Sequence, residues 1–437
     1  MGQTKIVIVG GGFGGLAVAK ALRNTAAKII LIDRTNHHLF QPLLYQVAIS
    51  VLTPSQIGTP IRGILSKQRN ATVILGEVTG VDKDEKCVFV TTADRENVPV
   101  GYDYLILATG ATHSYFGPNE FARFAPGLKS LADAEAARNR ILQAFESAES
   151  TEDPRLHREQ LTFVLVGAGP TGVEMAGALA VLVRTTLKSD FRRINPASAR
   201  VVLVDMAPRV LAPFPETLSK AAKQRLEKLG VEVRLGHSVD QIDADGIVVA
   251  GERIASKTVV WTAGVAPSPP GKWLNAETDR PGRVRIQKDL TVPGHREIFV
   301  IGDTASLDQN GKPLPGVAQV AMQQGRYAAK LLRSRISGSV PPGPFSYFDK
   351  GNMAVVGKSF AVLQRGKVQL SGFGALAHLD DDPPSIPGHV EPTFERFSAM
   401  VLDACHWSKG LPANCESPRV RTWEASRGHS SRTGIRG

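Results

Sequence analysis

One unit, present twice, restricts the fold of this chain more than any other feature. An unbroken apolar strand, Lys5 to Val9, runs into Gly10-Gly11-Gly12-Phe13-Gly14-Gly15 and an Ala- and Leu-rich helix from Leu16 to Arg23. A second strand, Lys28 to Ile32, follows and ends on Asp33. The same order returns as Leu161 to Val166, Gly167-Ala168-Gly169-Pro170-Thr171-Gly172, a helix from Val173, and the strand Arg200 to Val204 ending on Asp205. Continuous apolar runs belong to strands buried on both faces, so each unit reads as βαβ in a parallel sheet. The expected fold class is α/β, with two Rossmann-like dinucleotide-binding domains and a C-terminal region of different character.

A lone GxGxxG says little, but here each copy lies between strand and helix with an acid about twenty residues on. Gly10 and Gly167 permit the tight turn, and Gly12 and Gly169 let backbone amides approach a pyrophosphate at the positive end of a helix. Gly15 and Gly172 allow helix and strand to pack closely, and Asp33 and Asp205 accept hydrogen bonds from ribose hydroxyls. The competing reading is two glycine turns in an α/β core with no ligand. A carboxylate at Asp205 repels a 2′-phosphate and favours NADH over NADPH, although Arg209 stands close enough in sequence to serve the latter.

Composition removes several classes. The chain has 437 residues, 42% hydrophobic and 21% charged, a globular balance. Its three cysteines, Cys87, Cys405 and Cys415, form no CxxC pair and no zinc spacing. Cys87 stands alone in an expected strand and reads as a buried apolar residue. His37 and His38 lack further ligands, so no metal site is expected. The net charge of +11 suits anionic cofactors or lipid, but no basic tract or finger spacing supports nucleic acid as a partner. The N-terminus enters a strand at once, unlike a signal peptide. No window approaches the roughly 18 apolar residues of a membrane span. An intracellular protein with at most peripheral membrane contact is expected.

Further motifs narrow the reading. Tyr102 to Gly110 (YDYLILATG) and Phe299 to Asp303 (FVIGD) resemble the two flavoprotein motifs of two-dinucleotide oxidoreductases. Phe40 to Ala48 (FQPLLYQVA), the Val259 to Val265 stretch with Trp261-Thr262-Ala263-Gly264, and Ala318 to Gly325 (AQVAMQQG) are similar to the type II NADH dehydrogenases. These are single-subunit NADH:quinone oxidoreductases of the membrane surface. The likeness spans Lys5 to Phe373.

The resemblance implies FAD in the first cradle and NADH in the second. It implies FAD contacts at Thr109 and Gly110, and a ribityl hydroxyl held by Asp303. Phe13, Gly14, Arg34, Val78, Ala263 and Gly264 complete the implied cofactor-binding set. Gln319 and Gln323 are four apart on one helical face, and the family places them at the quinone head group. Amides suit that task because they bond a carbonyl or hydroxyl without adding charge. Glu174 extends the second fingerprint to GxGxxGxE, and the family places it near nicotinamide and flavin, where an acid in an apolar cleft suits proton handling. Lys350, in Asp349-Lys350-Gly351, matches a family lysine near quinone and flavin, where a cation stabilises a reduced, anionic ring. The plainer alternatives are a polar surface face for the glutamines, a carboxylate complementing a helix dipole for Glu174, and an exposed turn lysine for Lys350.

The expected organisation is 1–112 as the first part of the FAD-binding domain and 113–289 as the NAD(H)-binding domain with connecting segments. Residues 290–336 are the second FAD part, 337–373 begin the C-terminal region, and 374–437 form an atypical tail. Ser337 to Pro344, rich in Gly and Pro, reads as a linker. In the family the tail is rich in Trp and Leu and forms amphipathic, membrane-binding helices. Here it is acidic and proline-rich (Asp380-Asp381-Asp382-Pro383-Pro384) and is expected to be largely disordered, with weak membrane attachment. A change of reading frame is the expected explanation of the break. Permitted codons for Asp403 to Ser417, read one base later, begin Thr-His-Ala-Thr-Gly-Gln-Arg-Gly, similar to the family's ending, and the coding DNA decides the point. A genuine lineage-specific tail is the alternative.

The expected function is FAD-dependent NADH:quinone oxidoreduction without proton pumping, on the cytoplasmic face of the cell membrane where the tail is intact and soluble otherwise. A homodimer is usual in the family. The alternatives are a soluble NADH dehydrogenase with a non-quinone acceptor and a non-catalytic NADH-binding interaction protein.

Overall fold

The computed structural model describes residues 3–116, 120–373 and 375. Its first sheet has six strands in the spatial order Thr291–Val292, His295–Val300, Tyr104–Leu107, Thr4–Val9, Ala27–Asp33 and Ala71–Leu75. All neighbours run parallel except the antiparallel pair at the Thr291 edge. The sheet is thus assembled from two stretches of chain separated by nearly two hundred residues' worth of other structure (between Leu107 and Thr291). The second sheet fills that gap, as four parallel strands in the order Val231–Leu235, Arg200–Asp205, Thr162–Val166 and Thr258–Trp261.

Both sheets are built as the unbroken apolar runs require. Ile6, Ile8, Leu31, Leu105 and Phe299 are fully buried in the first, and Val164, Val202 and Leu203 in the second. Each such side chain contributes about 1.5–3 kcal/mol by leaving water. The helices Phe13–Ala21 and Pro170–Val181 follow the two glycine turns. Each begins about three residues earlier than the apolar pattern suggests, because Gly12 and Gly169 take extended conformations as N-caps and the following residues enter the helix directly. In the second case Pro170 occupies the first helical position, where its missing N–H costs nothing.

The helix Ala318–Ser337 packs on Phe13–Ala21 and ends at Gly338 in the left-handed region. Here the expected linker begins, and no regular element forms until Asn352. A three-stranded antiparallel meander then follows, Asn352–Val355, Ala361–Arg365 and Val368–Gly372. Its Ala354, Val356 and Val362 enter the core of the second sheet. Leu274, Val284 and Ile286, within the 113–289 segment, pack instead in the core of the first sheet. Cys87 is buried in the strand Cys87–Thr91. Apart from Ala375, the tail discussed above lies outside the described residues.

Candidate active site

The two glycine turns repeat one construction. Gly10 and Gly167 adopt φ of +102° and +111°, and their N–H groups donate to Ile32 and Val204 carbonyls at 2.8 and 2.7 Å. A Cβ on Gly15 would lie 1.9 Å from the Gly10 oxygen, and one on Gly172 would lie 1.8 Å from that of Gly167. Helix and turn are therefore in backbone contact. By contrast, a Cβ on Gly12 or Gly169 meets no protein atom within 4 Å. Each middle glycine faces open space at a helix N-terminus, which is what a diphosphate needs and what a mere turn in a core does not leave.

The acids do more than the spacing suggests. Asp33 accepts from Gly11 N–H with one oxygen and from Thr35 N–H (2.6 Å) and Oγ1 (2.7 Å) with the other. Asp205 accepts from Ala168 N–H and, at 2.7 Å, from Ala207 N–H. Each carboxylate braces its glycine turn while keeping lone pairs for a ribose.

Around the first turn, Phe13 meets His38 and Phe40 edge-on, at 5.0 and 5.7 Å between ring centres. Nδ1 of the buried His38 lies 3.1 Å from the Gly11 carbonyl. Burial pushes the imidazole pKa down, so His38 is neutral and donates that proton. Gly14 packs against Ile301, Arg34 is exposed beside Asp33, and Val78 is buried in the strand Glu77–Asp82. Thr109 Oγ1 and the Gly110 carbonyl are both held by Ser268 Oγ, at 2.6 and 2.8 Å. Asp303 sits in the turn Gly302–Thr304, which Gln324 fixes by accepting from Gly302 N–H at 2.7 Å. Burial raises the Asp303 carboxyl, opposed by Lys129 and Arg283. At the second turn, Ala263 abuts Gly167, and Phe116 covers Gly264, whose φ is +67°.

Glu174 is the fifth residue of the helix Pro170–Val181, past its first turn, and its Oε1 accepts from Val355 N–H at 3.2 Å. Loss of hydration outweighs this bond and raises the carboxyl to about 8. A side chain serving only the helix dipole would shift the other way, so the plainer alternative does not fit. The same charge, after burial, raises the phenol of Tyr45, whose oxygen accepts from Gln46 Nε2 at 3.1 Å.

Gln319 and Gln323 do share a face, and both amides engage the backbone of the following segment. Gln319 Nε2 donates to the Gly351 carbonyl (3.1 Å), and its Oε1 accepts from Lys350 N–H (3.3 Å). Gln323 exchanges two bonds with Phe348, donating to its carbonyl at 2.8 Å and accepting from its N–H at 3.0 Å. They are thus not the idle polar face of a surface helix. The Lys350 side chain is exposed. The roles of His38, Gln324 and Tyr45 had no signal in the sequence beyond nearness to a motif.

Comparison with known proteins places this geometry. The model of the pyridine nucleotide-disulphide oxidoreductase family matches residues 4–325. A type II NADH:quinone oxidoreductase of Mycobacterium tuberculosis is 47% identical over 380 residues, covering 84% of this chain and 81% of its own. The chain belongs to the type II NADH:quinone oxidoreductases. A second M. tuberculosis member of that family is 46% identical over 387 residues, covering 86% of this chain and 81% of its own. Among solved structures, that of Plasmodium falciparum NDH2 in complex with NADH superposes with a TM-score of 0.77 at 19% identity. It covers 85% of this chain and 92% of that one, a likeness of fold. A sulfide:quinone oxidoreductase from Aquifex aeolicus shares the fold at a TM-score of 0.68 and 16% identity, covering 85% and 88%. Among the described residues no helix is long and apolar enough to cross a membrane.

Proposed function

We infer that this enzyme oxidises NADH and reduces a quinone by way of FAD bound in the first cradle. The observation that carries the reading is the duplicated turn with open space at Gly12 and Gly169, joined to an acid of pKa about 8 at the second helix. The site fits FAD: Gly10, Gly12, Gly14 and Gly15 shape a diphosphate cradle, Asp33 offers lone pairs to a ribose, and the half-buried Asp303 carboxylate, which accepts no hydrogen bond among the described residues, suits a polyol hydroxyl. FAD, when bound, supplies the two-electron carrier between NADH and quinone.

The chain's own groups do the rest. Gly167, Gly169 and Gly172 leave room for the NADH diphosphate, and Asp205 selects the 2′-hydroxyl over a 2′-phosphate. Glu174 is protonated over much of the neutral range and can yield or take a proton at its Oε2, the oxygen that Val355 does not occupy. Each glutamine amide has spent one N–H on the backbone and keeps one for a quinone oxygen. Lys350 provides a mobile positive charge beside them. Residues 1–112 with 290–336 form the proposed FAD part and 113–289 the NAD(H) part. The proposed place of work is the cytoplasmic face of the cell membrane where the tail is intact, and solution otherwise, and a homodimer is the proposed assembly.

Anaerobic NADH should bleach the yellow protein, and a short-chain quinone should restore the colour. Bleaching without restoration by quinone would favour a different acceptor. Protein that remains colourless when offered FAD would end the reading.

A further inference from the structure

The two glycine turns match closely, with one difference beside them. The strand next to each turn ends at an equivalent place, where Leu107 pairs with Val9 in the first sheet and Trp261 with Val166 in the second. The residue that follows, Ala108 or Thr262, donates its N–H to the Val9 or Val166 carbonyl, at 2.8 Å in both cases. Ala108 carries only a methyl group. Thr262 carries a hydroxyl, whose Oγ1 lies 2.9 Å from the Val166 carbonyl oxygen and 2.9 Å from that of Gly167. The Val166 oxygen already holds the Thr262 N–H, so the hydroxyl proton serves the Gly167 carbonyl. A Cβ added to Gly172 would come within 2.7 Å of Thr262 Oγ1, so the hydroxyl is packed against the start of the helix Pro170–Val181.

That bond closes a clamp. The peptide between Gly167 and Ala168 has one N–H and one carbonyl to place. Its N–H donates to Asp205 Oδ2, and its carbonyl accepts from Thr262. Gly167 stands at φ +111°, and glycine resists rotation of its neighbouring peptides least of all residues. Held at both ends, this peptide cannot turn over, and the backbone that follows keeps its direction toward the open space at Gly169. In the first turn the corresponding N–H, of Gly11, donates to Asp33. The residue at the place of Thr262 is Ala108, whose side chain has no proton to give the Gly10 carbonyl.

Resting on the functional reading above, we propose that Thr262 is a positioning residue for NADH. Its hydroxyl keeps the Gly167–Ala168 peptide in the orientation that receives the diphosphate. The contrast between the turns follows the residence of their ligands. A cofactor that stays through many cycles orders its own turn, whereas NADH enters and NAD+ leaves in every cycle. The second turn must therefore stay aimed at a diphosphate between visits, and holding a binding loop in its bound shape raises affinity by removing the cost of ordering it.

The test compares wild type with Thr262→Ala, which removes the hydroxyl, and Thr262→Ser, which keeps it, all as FAD-loaded enzyme. NAD+ affinity is measured by calorimetry, flavin reduction by anaerobic stopped flow over a range of NADH concentrations, and FAD content by absorbance. Thr262→Ala should need roughly 5- to 10-fold more NAD+ or NADH for half-saturation, the net worth of one hydrogen bond. Its reduction rate at saturating NADH and its FAD content should match wild type, and Thr262→Ser should recover most of the affinity. Lost packing alone does not split binding from rate in this way. Equal affinity in wild type and Thr262→Ala overturns the proposal, as does an equal loss in Thr262→Ser. So does a Thr262→Ala protein that fails to fold, or that loses FAD and saturated rate in step with affinity, because the threonine then serves the fold at large. Wild type that takes up no FAD, or whose flavin NADH does not bleach, sinks the functional reading and this inference with it. Bleaching of wild type with an unaltered half-saturation in Thr262→Ala sinks this inference alone.

Discussion

Replacing Glu174 by Gln tests the electrostatics of the site with a sign that the alternative cannot reproduce. Gln keeps the shape, and its carbonyl oxygen still accepts from Val355 N–H, but it never ionises. In the folded protein the Glu174 carboxyl is raised from 4.5 to about 8. Below pH 4.5 the acid is neutral in both folded and unfolded chains and costs nothing. Between 4.5 and 8 the unfolded chain has released its proton while the folded chain has kept it, so wild-type stability falls by about 1.4 kcal/mol per pH unit. Above 8 both forms are ionised and the penalty levels off at a ceiling of roughly 5 kcal/mol. Glu174→Gln escapes this penalty. Its stability advantage over wild type should be near zero at pH 4.5, about 2 kcal/mol at pH 6, and largest at pH 9. Urea or thermal unfolding of both proteins across this range, with saturating FAD, reads the difference. The variant should also lose any inflection of kcat/KM near 8 that wild type shows. An advantage that stays flat, or that shrinks as pH rises, would refute a desolvated acid and restore the helix-dipole role.

The glycine turns separate fold from ligand. Gly15→Ala, whose Cβ would fall 1.9 Å from the Gly10 oxygen, should destabilise by more than about 3 kcal/mol in urea titration. Gly12→Ala meets no protein atom and should leave the apo-protein within about 0.5 kcal/mol of wild type while emptying it of flavin, read from its absorbance. Asp205→Asn can accept from only one of the two backbone N–H groups that Asp205 now holds. It should raise the KM for NADH roughly tenfold, about 1.4 kcal/mol, and narrow the preference over NADPH, as steady-state kinetics with both would show. Gln323→Ala removes both bonds to Phe348. It should raise the quinone KM several-fold yet leave anaerobic flavin bleaching by NADH unchanged in stopped flow.

Legibility in the sequence followed the range of the interactions involved. The strands and turns were readable because their causes are local: apolar runs, Gly at positive φ, an acid at a set distance. Helix starts were misplaced by three residues since Phe13-Gly14-Gly15 and Pro170-Thr171-Gly172 carry no apolar periodicity to announce a helix. The glutamines' shared face was visible from their spacing, but not the partners of their amides, which lie 25 and 32 residues away. Still less visible was the bond between Val355 and Glu174, across 181 residues. Asp205 shows the intermediate case, in which spacing disclosed its place at the end of the strand beside the glycine turn but not its bracing of Ala168. The neutral state of His38 depends on burial under Phe13, which no pattern in the sequence encodes.

The stretch from Phe345 to Val355 shows why residues so far apart can act together. Phe345 is buried in the first core, its N–H donating to Lys288 at 2.8 Å. Tyr347 exchanges bonds with Gln309, and Phe348 and Lys350 then meet Gln323 and Gln319. Within five more residues the chain donates to Glu174. Two residues further on, Gly357 comes so near Gly177 that a Cβ on the latter would lie 2.6 Å from its nitrogen. One short run of backbone therefore touches both glutamines and the acid in sequence order. At about 3.3 Å per extended residue, the spacing between the two glutamine amides and Glu174 is set by covalent chain rather than by how two halves happen to settle. A shift of either half that moved the glutamines would pull on Val355, and the acid's single backbone donor would move with them.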